Sequence, residues 1–169
     1  MVAFSSDRGT GFPHQDFPAP AGKWEHVQAA SVYVINADGT GLRKLTTDPD
    51  MMTGSPKWSA DGTKLVFYEL LVRDTFRAHF GGSSSSIVSV DLTTGDRTVH
   101  VAGGGLNVSP QFLASGRVGY LAKTRESGTL AFTGGDESSP GDLANPSWSR
   151  DGTRVVYHAG QMETMHHYS

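Results

Sequence analysis

Histidine and carboxylate side chains collect in two stretches of this chain, a mixture that suits a divalent metal ion or a polar ligand. The first stretch is irregular and aromatic and carries His14, Asp16, Trp24, Glu25 and His26. The second lies near the end, where His158 is followed by Glu163, His166 and His167. Their spacings match no established metal-site pattern. One reading is therefore a ligand or metal pocket. The other is a loop pinned over the fold by Phe12 and Trp24, together with a frayed terminus whose polar groups face water. A third stretch runs from Leu71 to Phe80. There Arg73 and Arg77 are four residues apart, so a helix of about two turns would set both on one face. Such a pair can grip a carboxylate or phosphate, with His79 close by. A solvated face is the competing reading.

Several chemistries are excluded. Cys is absent, which removes disulfides, thiol catalysis and Cys-ligated zinc. No Gly-x-Ser-x-Gly elbow or phosphate-loop glycine pattern occurs, and Ser83 to Ser86 reads as a flexible tract. The formal net charge is −3 with charges scattered along the chain, which argues against a nucleic-acid surface. No apolar run reaches the ~18 residues of a membrane span. The residues require no cofactor, and a divalent metal is compatible with them.

The elements that must position these side chains come from a repeat. Ser55-Pro56-Lys57-Trp58-Ser59-Ala60-Asp61-Gly62-Thr63-Lys64-Leu65-Val66-Phe67-Tyr68 returns as Asn145-Pro146-Ser147-Trp148-Ser149-Arg150-Asp151-Gly152-Thr153-Arg154-Val155-Val156-Tyr157-His158, and a worn copy starts at Ser109-Pro110-Gln111-Phe112. Repetition at this scale means one supersecondary unit used several times. Asp-Gly between β-rich runs predicts a hairpin, because glycine accepts the positive φ of a tight turn. Proline ahead of the first strand suits an entry position, where no ladder N–H is lost. The unbroken run Leu65 to Tyr68 predicts a strand covered on both faces. In the middle unit four strands follow in order: A (Pro56 to Ser59), B (Lys64 to Leu70), C (Ser86 to Leu92) and D (Arg97 to Ala102). A four-stranded antiparallel sheet repeated along the chain is the blade of a β-propeller, so the expected class is all-β.

The motif Pro-x-Trp-Ser-x-Asp-Gly-Thr-Lys/Arg followed by an apolar strand resembles the TolB-type, WD-like propeller repeat. So do Val32 to Thr46, as strands C and D, and Val2 to Arg8, as strand B and its exit. The resemblance implies about three blades, an incomplete or open propeller against the roughly 4–8 that close a ring. Residues 1–54 read as a partial blade with a long insertion, 55–106 as a complete blade, 107–144 as a shortened one and 145–169 as the start of another. The expected chain is a fragment of a longer protein, with uncovered blade edges that recruit other chains. Relatives of this type imply a periplasmic or secreted location, although Met1 to Ser6 lacks the features of a signal peptide.

Antiparallel meandering sends A–B and C–D turns to one rim and B–C and D–A connections to the other. The long connections, Asp7 to Ala30 and Leu71 to Ser85, are both B–C, so the insertions share a rim, and loops of that length usually carry function. The leading expectation is a non-catalytic scaffold binding a protein, peptide or glycan there. The alternatives are an accessory propeller of a larger hydrolase (prolyl-peptidase or amidohydrolase type), or a metal-dependent propeller lyase using His14, His26, His79 and His158. Asp61 and Asp151 read as turn acceptors rather than calcium ligands. Trp58 and Trp148 read as packing between blades, each burying on the order of 150–250 Å². Asn107-Val108-Ser109 is a formal glycosylation sequon at a doubtful place.

Overall fold

The computed structural model describes residues 1–8, 29–75, 83–124, 127–135, 141–149 and 151–159. Twelve strands form four separate antiparallel sheets among these residues. The first sheet holds β1 (Val2–Ser6), β2 (Ser31–Ile35) and β3 (Arg43–Lys44). The second, with all four strands in sequence order, holds β4 (Met51–Trp58), β5 (Lys64–Leu71), β6 (Ser86–Asp91) and β7 (Arg97–Val101). The third holds β8 (Leu106–Phe112), β9 (Val118–Lys123) and β10 (Gly128–Phe132), and the fourth β11 (Leu143–Trp148) and β12 (Val155–Ala159). Strands β4, β8 and β11, which open their sheets, lie beside one another.

The hydrophobic core sits between sheets, and period two explains it. Successive side chains of a strand point to opposite faces, so β5 serves two interfaces. Leu65 and Phe67 pack with Val88 against Val32 and Val34 of the first sheet. Val66 packs with Ile87 and Tyr68 against Val118, Phe112 and Tyr120 of the third. The next joint sets Leu121 and Leu130 against Leu143 and Trp148. Each large apolar side chain buried in this way contributes about 1.5–3 kcal/mol.

Proline placement departs from the expected entry position. Pro56, Pro110 and Pro146 lie inside β4, β8 and β11, because these strands begin several residues earlier than the Pro-x-aromatic motif suggests. Each strand shifts register around its proline, between Gly54 and Lys57, Val108 and Gln111, and Ala144 and Ser147. A bulge leaves one residue unpaired, so the missing N–H costs no ladder bond. The residue ahead of each proline adopts a positive φ: 53° at Ser55, 53° at Ser109 and 50° at Asn145.

The two tryptophans differ in burial. Trp148 is only 6 % exposed and meets Phe132 edge-on with ring centroids 6.3 Å apart, whereas Trp58 is partly buried at the first joint. Trp148 has β8 of the preceding sheet beside it. The first sheet has no counterpart of β8 among the described residues, so Trp58 lacks that cover. Gly119 makes room for the buried indole, since a Cβ there would stand 3.0 Å from the Trp148 ring. Gly119→Ala is expected to cost about 1–3 kcal/mol by overpacking, read from the urea midpoint at unchanged m-value.

The Asp-Gly turns close as expected. Asp61 Oδ1 accepts from Ser59 Oγ at 2.6 Å, Thr63 N–H at 3.0 Å and Thr63 Oγ1 at 2.9 Å, and Asp151 repeats the arrangement with Ser149 and Thr153. Gly62 adopts a φ of 72°, which an L side chain rarely takes. The Ser59 hydroxyl, then the Thr63 N–H and hydroxyl, lower the Asp61 carboxyl from 3.8 to about 2. Because the folded value lies below the unfolded one, the stability it contributes is present above pH 4 and is lost as pH falls toward 2. Asp61→Asn should therefore flatten the acid limb of the stability profile below pH 4, measured by thermal melts across pH.

Candidate functional site

Two rims can be compared residue by residue. At the first, the A–B and C–D turns are short and bound to each other: Leu92 N–H donates to Thr63 O at 2.9 Å, and Lys64 Nζ lies 3.8 Å from Asp91 Oδ2. Asp91 also accepts from the N–H groups of Thr93 and Thr94, which together with Lys64 hold its carboxyl below the usual range. The polar groups of this rim serve its own turns.

The second rim carries the β1–β2 and β5–β6 connections, and the roots of these connections are latched across sheet boundaries. At the first boundary Thr53 N–H donates to Ala30 O at 2.8 Å. Val32 N–H donates to Thr46 Oγ1 and Thr53 Oγ1, and the two hydroxyls lie 2.9 Å apart. The second boundary uses Asn107, which occupies the position of Thr53, three residues ahead of its proline. Its N–H donates to Ser85 Oγ at 2.7 Å, and Ser85 Oγ donates to Asn107 O at 2.5 Å. Its amide donates to Ser85 O, Gly103 O and Gly105 O at 3.0, 2.9 and 3.3 Å. At the third boundary Gly128 approaches so closely that a Cβ would stand 2.0 Å from Leu143 O. The latches tie the starts of β2, β6 and β10 to the first strand of the next sheet. The first two therefore fix where the long β1–β2 and β5–β6 connections re-enter the fold.

Asn107 is 5 % exposed with its amide spent on these bonds, so the sequon is closed to a glycan. The latch residues escaped the motif-based reading, which began at Ser-Pro. Extending the repeat two residues toward the N-terminus is the signal that finds them.

Of the residues with candidate chemistry, the structure places two. Arg73 is exposed in a single 3₁₀ turn, Val72–Asp74, directly after β5. β5 runs on to Leu71, which pairs with Met51, and residues 76–80 of the helix expected over Leu71 to Phe80 lie outside the described residues. His158 is exposed on β12 opposite Ala144, the register that Tyr68 holds opposite Gly54. His14, Asp16, Trp24, Glu25, His26, Arg77, His79, Glu163, His166 and His167 lie outside the described residues. Among the described residues no three His, Asp or Glu side chains converge to hold a metal ion.

Ser89 Oγ lies 2.8 Å from His100 Nε2, with the imidazole edge-on to Phe112. Burial, and then the Lys64 charge, keep His100 below its ordinary pKa. Ser89 is buried in β6, so the pair packs a joint and offers no accessible nucleophile.

No protein-family model matches the chain, and no curated protein does. Solved structures do. An oligogalacturonate lyase in complex with manganese aligns with a TM-score of 0.58 at 17 % identity, over 75 % of this chain and 40 % of the other. An oligogalacturonate lyase from Vibrio parahaemolyticus aligns with a TM-score of 0.58 at 19 % identity, over 78 % of this chain and 42 % of the other. The chain thus spans about two-fifths of the length of these relatives. Both are β-propeller proteins. With its four antiparallel sheets stacked face to face and their first strands adjacent, the chain has the β-propeller fold, built as an arc of blades.

Proposed function

We propose that the chain is a segment of a TolB-type β-propeller that binds an acidic oligosaccharide on the rim bearing the β1–β2 and β5–β6 connections. The observation that carries this reading is the contrast between rims. One rim consists of turns whose polar groups are satisfied locally. The other anchors long connections on inter-sheet latches and presents an exposed guanidinium at Arg73. A rigid base under variable connections is the usual construction of a binding face, and a guanidinium recognises carboxylates with two parallel donors. The likeness in fold to two oligogalacturonate lyases supports a uronate-type ligand.

A second reading, a metal-dependent lyase, is favoured by the same likeness and by His158, which is exposed on β12. A metal site would draw its remaining ligands from His14, His26 and His79. Calorimetric titration with oligogalacturonate, with and without manganese, together with assay for an unsaturated product, separates the readings. Binding without product supports the scaffold. Product that disappears with a chelator supports the lyase, and absence of both overturns the two. Arg73→Ala is expected to weaken binding roughly tenfold, the loss of one charge-assisted contact, while Asp61→Asn on the opposite rim leaves it unchanged.

A further inference from the structure

Gly54 has no positive φ to account for it, so its missing side chain serves space instead. It lies in β4 opposite Tyr68 of β5. A Cβ at this position would stand 2.5 Å from the Tyr68 hydroxyl oxygen and 2.6 Å from Cζ. The tip of the phenol ring therefore lies across its cross-strand neighbour. Strand β4 is the edge of its sheet on the side where the first strands of the sheets lie together. A side chain that crosses β4 from β5 is thus carried toward the axis of the arc. Val66, Ile87 and Val118 hold the ring in the joint between the second and third sheets, so the hydroxyl is fixed in direction.

The repeat shows that packing does not demand this arrangement. In the third sheet the same two positions are Val108 and Leu121, and Leu121 is sealed in an apolar joint. An aliphatic pair fills such a joint, so glycine with tyrosine adds one thing, a hydroxyl delivered past β4. Among the described residues that hydroxyl has no hydrogen-bond partner, whereas the Tyr33 hydroxyl donates to Arg8 O at 2.8 Å. A partly buried phenol ordinarily finds a partner. Burial raises the Tyr68 phenol above its ordinary pKa, which keeps it a neutral donor at physiological pH. We infer that the Tyr68 hydroxyl contacts the ligand, donating a hydrogen bond to a carboxylate oxygen of the acidic oligosaccharide where it dips from the rim toward the axis. A carboxylate is the favoured acceptor, because a bond to an ionised oxygen is about twice as strong as a neutral one. This assignment rests on the function proposed above and names a residue that reads the inward end of the ligand.

Tyr68→Phe removes the hydroxyl and keeps the ring, and two readouts on the intact chain test the assignment. Without ligand, Tyr68→Phe should melt no lower than the wild type, because no bond within the protein is lost. Tyr33→Phe, which gives up its bond to Arg8 O, should melt lower. In calorimetric titration with oligogalacturonate, Tyr68→Phe should bind roughly tenfold more weakly than the wild type. A lower melting temperature for ligand-free Tyr68→Phe would show that the hydroxyl serves the fold, and overturns the inference. So does an unchanged affinity beside a wild type that binds, an outcome that leaves the proposed binding rim standing. A wild type that binds no oligogalacturonate overturns both.

Discussion

Trp148→Ala is expected to destabilise the chain by about 3–5 kcal/mol, the usual cost of deleting a large buried aromatic side chain. The indole fills the joint between the third and fourth sheets, touching the cluster of Leu121, Leu130 and Leu143 and meeting Phe132 edge-on. Its backbone is held independently, since Gln111 Nε2 donates to Trp148 O at 2.9 Å. The substitution therefore removes packing and leaves the strand in register. Trp58→Ala, at a partly covered site, should cost clearly less. Urea denaturation of both variants checks the order, and equal losses would show that Trp58 is as well packed as Trp148.

Asn107→Ala is expected to cost about 2–4 kcal/mol, because a buried carbonyl left without its donor loses about 1–3 kcal/mol and those of the glycine link regain some water. The amide supplies donors to Ser85 O, Gly103 O and Gly105 O, and the glycine link reaches them through positive φ at Gly103, Gly104 and Gly105. A second readout separates this role from that of a modification site. Protein secreted from a eukaryotic host should carry an unmodified Asn107 by mass spectrometry, and Ser109→Ala, which destroys the sequon, should leave its mass otherwise unchanged. A glycan on Asn107 would show that the latch opens.

The hairpins were legible in the residues because their causes are local. Asp61 and Asp151 bond within two residues of themselves, and glycine supplies the φ that follows. The apolar run Leu65 to Tyr68 announced burial on both faces, and β5 is buried on both. Of the candidate site, only the surroundings of Arg73 and His158 can be compared with expectation, because the other candidates lie outside the described residues. Leu71 stays in the strand because Met51 is there to pair with it.

Tertiary structure alone settled the rest. Ser55, Ser109 and Asn145 take left-handed backbone only because each strand pairs on both sides of its proline and must absorb one extra residue between. Asn107 looks like any polar residue of a sequon until Ser85, 22 residues away, is brought against it. Val66 and Val156 occupy the same place in nearly the same sequence, and one is sealed while the other faces water. Local sequence sets which way a side chain points. What covers it depends on a sheet contributed from elsewhere, and no spacing within the repeat encodes that contact.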